Sequence, residues 1–302
     1  MRQSKSIVEG AFLASLTVIF YLSSVYIPIL GSLLSFLCPL PVMFLTIRWD
    51  MRAGLLAAVV ASFIVFAFAG VVAAVTCFLG FTLLGLAMGF TIKRNYSFIE
   101  VIGTNTLVSI LSKLSLIGLV FLMAGQNPLL ESLSFLEESL EKMLSFLPAE
   151  GGVNVETIIN FIHMVLPATV VIASLLDTVL NFLLGSWIGK RIGIEFPSFP
   201  PFREWQLPRS IFWAFVLGWL FVLLGGTTFW GKIGLNLQMI TQILFLIQGA
   251  SVVYYFLGKY IRSRVVVAVI VIFLALQPFI STLLSWLGVF DVWFDLRKIR
   301  ES

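Results

Sequence analysis

Residues 98–123 read FIEVIGTNTLVSILSKLSLIGLVFLM, and this stretch decides the class of protein. A helix rises ~1.5 Å per residue, so about 20 apolar residues cross the ~30 Å hydrocarbon core of a bilayer. The stretch meets that length with one ionisable residue, Lys113, well inside it. A charge at that depth costs ~2.5 to 3.5 kcal/mol on the insertion scale, so something must hold it or use it. The run at 158–188 carries Asp177 in the same way. Elsewhere the ionisable residues sit at the ends of apolar runs, which makes Lys113 and Asp177 the first candidates for function.

Composition agrees. Of 302 residues 60% are hydrophobic and 11% charged, too few polar side chains to coat a soluble particle. The expected fold class is all-α, a polytopic transmembrane helical bundle. The sequence pI of about 9.2 comes from Lys and Arg that in a membrane protein record orientation, so no nucleic-acid partner is expected. Cys38 and Cys77 lie in apolar runs without CxxC or Cys/His grouping and read as small buried hydrophobes. There is no GxSxG, HExxH or Walker A sequence, and one His leaves no site that needs two. Neither an enzyme nor a cofactor nor a metal site is expected. The first segment follows Arg2 and Lys5, lacks a small-residue cleavage site and reads as a retained helix.

Apolar runs between charged breaks place spans near 7–27, 29–47, 53–70, 71–92, 98–123, 158–188, 210–229, 237–258 and 265–287, nine in all. Pro39 and Pro41 in the second imply a broken or short helix there. With the N-terminus in the cytoplasm, Arg48, Arg52, Lys93, Arg94, Lys190, Arg191, Arg203, Arg209, Lys259, Arg262 and Arg264 join Arg2 and Lys5 on that side. Thirteen of nineteen basic residues then obey the positive-inside rule. The protein is expected in the plasma membrane as a multi-pass chain with the lipid bilayer as its first partner. Nine spans leave Arg297, Lys298 and Arg300 outside, which disagrees with that rule unless the last span breaks at Pro278 and turns back. GVFDVWFDLRKIR at 288–300 reads equally as an interfacial helix.

The organisation expected is a six-span block at 1–192, a proline-rich cytoplasmic connector at 193–209 (FPSFPPFREWQLPR from Phe196) and three spans in 210–302. An external amphipathic segment at about 125–156 carries Leu129, Leu133, Leu136, Leu140, Met143 and Leu147 on one helical face with glutamates largely opposite. It reads as an interfacial helix or as a lid hinged at Gly151 and Gly152.

Asn105, Ser109, Ser112 and Lys113 follow at helical spacing and make a polar stripe on an apolar helix. His163, Pro167, Ser174, Asp177, Thr178 and Asn181 make a second on the sixth span. Lys113 and Asp177 fall at similar depths and can pair. Two readings stay open: an ion pair that fixes helix packing, or a solute pocket offering a cation, an anion and the hydrogen bonds of Asn105, Ser109 and Asn181. His163 lies nearer the outer surface, as a helix-end residue or a contributor to that pocket. Ser6, Gly10 and Ala14, spaced by four on the first span, form a small-residue face suited to internal packing or to a partner helix.

The run IVEGAFLASLTVIFYLSSVYIPILGSLLSFLCPLPVMFLTIRWDMRAGLLAAVVASF at 7–63, with REWQLPRS at 203–210 and FDVWFDLRKIR at 290–300, resembles the YybS-like family of bacterial polytopic membrane proteins. Over about residues 1–192 it is distantly similar to the S components of energy-coupling factor (ECF) transporters. That resemblance implies a six-helix fold binding a small molecule near the outer face. It also implies docking through the first helix onto a transmembrane coupling subunit driven by ATPases, with Ser6, Gly10 and Ala14 in the docking positions. The chain departs from a strict Ala-xxx-Ala form there and adds three spans that S components lack. Small membrane proteins of rod-shape machinery share the same look and transport nothing. The function expected is therefore solute binding or transport, with a structural, assembly or regulatory role in the envelope as the alternative.

Overall fold

The computed structural model describes residues 2–27, 30–125, 128–145 and 155–299, and among them the regular elements are helices, with no strand. The chain groups into two units: residues 1–159 with 173–198, and 160–172 with 199–302. The division at Ser198 falls inside the proline-rich stretch, and one segment of the long helix near 160–172 groups with the C-terminal unit.

In the first unit α1 (Arg2–Tyr26) is followed by α2 (Leu30–Ser35) and α3 (Pro39–Arg48), so the second expected span is two short helices. Pro39 opens α3, where its missing N–H costs no hydrogen bond, and its fixed φ ends the preceding turn. Every residue from Pro39 to Thr46 is buried, which explains why α3 is apolar all round. Next, α4 (Met51–Val75), a π-helical turn (Thr76–Thr82) and α5 (Leu83–Lys93) run on as 43 residues of helix. Asp50 caps the start by accepting from the Ala53 N–H at 2.7 Å.

That run is not one rod. Gly70 has φ 82° and ψ −178°, a conformation open to glycine and costly for other residues. A straight helix would hold Gly54 and Leu86 ~48 Å apart, yet a Cβ on Gly54 would lie 2.9 Å from Leu86 Cδ2. Val42, Ala58 and Leu86 share one buried cluster, and Val65 and Cys77 another with Ala14, Tyr21 and Ala61. The chain therefore doubles back at Gly70, on the boundary expected between the third and fourth spans.

Ser97 and Glu100 form a reciprocal capping box at the start of α6 (Phe98–Ala124). Helix α7 (Pro128–Ser145) lies in the expected amphipathic segment, with Leu133 buried, Leu136 and Leu140 half-buried and Glu131, Glu138 and Glu141 exposed. Met143, expected on its apolar face, is exposed. Leu147, Gly151 and Gly152, and with them the hinge, lie outside the described residues, as does Arg300. Helix α8 (Val155–Arg191) closes the set, its part from Ala173 onward belonging to this unit.

The second unit is built on α10 (Phe229–Tyr260), flanked by α9 (Ser210–Gly225), α11 (Arg264–Leu276) and α12 (Pro278–Phe294). Gly249 and Gly288 bring α10 and α12 together so closely that a Cβ on Gly249 would overlap the Leu284 carbonyl, and one on Gly288 that of Phe245. Small residues at the crossing let backbones approach where lipid tails offer no hydrophobic drive. Gln277 separates α11 from α12, which meet at 107°.

Among the described residues five helices are long and apolar enough to cross a membrane, six when α11 and α12 count as one broken span, with the doubled-back run Met51–Lys93 counted once. The count of nine is not confirmed. The second candidate is divided by the turn before Pro39, and α9 has only 16 residues and stops at Gly225. The last candidate is bent at Pro278, where proline cannot continue a helical hydrogen-bond ladder.

Candidate functional site

Lys113 and Asp177 meet. The Lys113 Nζ donates to Asp177 Oδ2 at 2.6 Å and to Ser109 Oγ at 2.7 Å. Neither side chain is sealed, with 24% of Lys113 and 31% of Asp177 exposed. Two of three ammonium protons are used, and Asp177 Oδ1 has no protein partner among the described residues. A second anchor between α6 and α8 is the edge-to-face contact of Phe98 with Phe182, centroids 5.3 Å apart.

The rest of the stripe is buried around this pair. Asn105 Nδ2 donates to Thr91 Oγ1 at 2.9 Å, tying α6 to α5, and to the Val101 carbonyl at 2.7 Å. Ser112 Oγ donates to the Leu79 carbonyl in the π-helical turn. Asn181 Nδ2 donates to the Asp177 carbonyl at 2.9 Å. Left over are Asn105 Oδ1, Thr106 Oγ1, Ser174 Oγ and Asn181 Oδ1, buried acceptors or hydroxyls without a protein partner. Each such group costs ~1 to 3 kcal/mol unless water or a ligand meets it. Ser174 and Asn181 stand within about one turn of Asp177 on either side.

His163 belongs to the second unit, is exposed, and lines a cleft with Asn160, Lys232 and Asn236. Of the small-residue face, Ser6, Gly10 and Ala14 line a cleft of about 480 Å³ with Asp50, Arg52 and Ala57, and Ala14 is buried at its floor in the core against α4.

Two sites escaped the sequence reading. In α8 Pro167 has no N–H to give the His163 carbonyl, and Asn236 of α10 enters the neighbouring gap. Its Nδ2 donates to the Met164 carbonyl at 2.7 Å and its Oδ1 accepts from the Ala168 N–H at 2.8 Å, bridging two backbone groups one turn apart beside the proline. The second site is a sealed ion pair. Arg297 Nη2 reaches Asp291 Oδ2 at 2.8 Å with both side chains fully buried. Arg297 also donates to the Arg203 and Trp205 carbonyls and to Ser251 Oγ, each at 2.6 Å, and Gln248 Nε2 donates to Asp291 at 2.5 Å. Leu207 N–H donates to Gln248 Oε1 at 3.0 Å. The proline-rich connector is thereby bonded to α10 and the C-terminus. The signal was present: Arg297 belongs to the basic group that broke the positive-inside count, and Gln248 interrupts an apolar run. Asp291 is buried in the core of the second unit.

Long apolar helices with charges at their ends, one accessible ion pair and one sealed pair define an integral, multi-pass membrane protein. The chain belongs to the family described as "Predicted membrane protein (DUF2232)", which it matches over residues 15–292. It is similar to the "Uncharacterized protein YybS" of Bacillus subtilis (strain 168), 26% identical over 310 residues, covering 99% of both chains. No solved structure matches it. The YybS-like resemblance thus extends over the whole chain, while the likeness to S components rests on the sequence pattern alone.

Proposed function

We propose that this is a non-enzymatic plasma-membrane protein that binds a small polar solute at the Lys113–Asp177 pair, as a transport subunit of the S-component kind with its N-terminus in the cytoplasm. One observation carries the reading: the pair is joined but not closed. A lysine proton and a carboxylate oxygen remain available, with buried Ser174 and Asn181 groups that lack partners within about one helical turn of Asp177. Charges at membrane depth face a partner or a water-filled cavity, and a solute fits the second case. The contrast with Arg297 and Asp291 lies in exposure: that pair also leaves Asp291 Oδ1 and Arg297 Nε without partners, but both side chains are fully buried there.

Delivery requires a coupling subunit with ATPases, docked at Ser6 and Gly10 of the small-residue face, Ala14 being buried within the protein. Gly10 has room, since a Cβ there meets only Leu45 Cδ2 at 3.8 Å. The scaffold reading keeps one observation of its own: Lys113 is satisfied by Asp177 and Ser109 without any ligand.

The test is a thermal-shift screen of small polar metabolites on the purified protein in nanodiscs. A stabilising solute whose effect vanishes in Lys113→Met and Asp177→Asn supports binding. If no solute raises the melting point and the variants only lower it, the scaffold reading stands instead. Copurification of a coupling subunit and ATPases, lost in Gly10→Leu, separates transport from binding alone.

A further inference from the structure

A cleft of about 590 Å³ in the second unit lies between the end of α10, the start of α11 and the turn at Phe202–Glu204. Four cations line it, Arg203, Lys259, Arg262 and Arg264, and no acidic residue does. Arg203 is paired with Glu204 at 3.2 Å, and Lys259 sits over the Tyr255 ring at 4.6 Å. Arg262 and Arg264 have no carboxylate partner among the described residues, although both are within reach of the same space. The cleft has an aromatic wall as well: Phe202 and Tyr254 pack edge to face, 5.6 Å between centroids.

Its frame is held rigidly. Ser251 Oγ donates to the Phe202 carbonyl at 2.6 Å, and Arg297 takes the Arg203 carbonyl, so the turn carrying Arg203 is bonded to α10 and to the C-terminus. Arg264 begins α11, whose first free N–H groups add positive potential at the same end. Positive residues scattered at a membrane boundary record topology, but four around one concave space with no counter-charge lining it form a field aimed at an anion.

We propose that this cleft binds an anionic phosphate-bearing group, either the headgroup of an anionic phospholipid or a soluble phosphate. Arginine forks suit phosphate oxygens, and basic pockets between membrane helices hold such headgroups. The site is separate from the solute site proposed above and does not rest on it.

The full chain in phosphatidylcholine nanodiscs is compared with and without phosphatidylglycerol, reading lipid retained by native mass spectrometry. In parallel, inorganic pyrophosphate is titrated in phosphatidylcholine alone. Arg262→Gln with Arg264→Gln is expected to weaken binding of the preferred probe roughly thirtyfold, given about one kcal/mol for each of the two surface cations removed. Arg262→Lys with Arg264→Lys is expected to keep most of it, which shows that the cleft still folds. Lys190→Gln with Arg191→Gln, basic residues at the end of α8, is the control and is expected to change nothing. Retention of phosphatidylglycerol identifies a lipid headgroup, and a pyrophosphate shift identifies a soluble ligand. The proposal is overturned if neither probe binds, if the Gln pair binds like the parent, or if the control pair loses binding equally.

Discussion

Arg297 and Asp291, six residues apart at the C-terminus, form an ion pair at 2.8 Å in which neither side chain is exposed. A helix end brings them together: α12 stops at Phe294, and Asp295, in the left-handed region at φ 42°, turns the chain back over the last turn. Removing one partner of a sealed pair costs ~3 to 5 kcal/mol, because the other charge stays buried. Arg297→Met is expected to lower thermal stability by that order. It also frees the Arg203 and Trp205 carbonyls, so trypsin is expected to cut at Arg203 or Arg209 faster than in the parent, read by timed proteolysis.

Asn236 acts as a missing piece of α8. Asn236→Leu leaves the Met164 carbonyl and Ala168 N–H without their bridge, and a cost of about 1 to 2 kcal/mol is expected for groups that can partly re-pair. Pro167→Ala lets the ladder close unaided. In a double-mutant cycle the cost of Asn236→Leu should therefore shrink in the Pro167→Ala background.

Glycines with close neighbours and glycines with none are expected to differ in sign. Gly249→Leu and Gly288→Leu force α10 and α12 apart, which costs on the order of 1 to 3 kcal/mol or more. Gly118, in α6 with nothing within 4 Å of a Cβ, is the counterpart. Gly118→Ala is expected to be neutral or stabilising by up to ~1 kcal/mol. Denaturation in the same detergent compares all three.

Gly70→Ala tests the reversal between α4 and α5. The φ of 82° with ψ near 180° costs a side-chain-bearing residue ~1 to 3 kcal/mol, while open space around Gly70 excludes a steric explanation. A fall in melting temperature with unchanged helix content by circular dichroism is the expected result.

For Lys113 and Asp177 the stability effect is expected to be smaller than at Arg297, because both side chains are partly exposed. Lys113→Met or Asp177→Asn should cost about 1 to 2 kcal/mol. A loss as large as that of Arg297→Met would mean the pair holds the bundle, and would count against a solute site.

Class, helix positions and the principal pair are legible in the chain because burial in lipid leaves a one-dimensional record. A charge inside an apolar run stands out in the sequence, and polar stripes at helical spacing on two such runs already make Lys113 and Asp177 neighbours. Crossing number is less legible, since hydropathy measures how apolar a run is and not whether it is straight. Pro39 and Pro278 each divide a run by backbone geometry, while the reversal at Gly70, on the boundary expected between the third and fourth spans, is seen in the neighbours of Gly54.

That this is an all-α membrane protein, and where its costly charges lie, follows from the order of residues, because both are set by the cost of polarity in hydrocarbon. Which polar groups are satisfied follows only from packing, as does the role of Arg297 as a buried latch. Those outcomes depend on residues distant in sequence, such as Asn236 with Met164 or Arg203 with Arg297, and no local pattern encodes such a meeting.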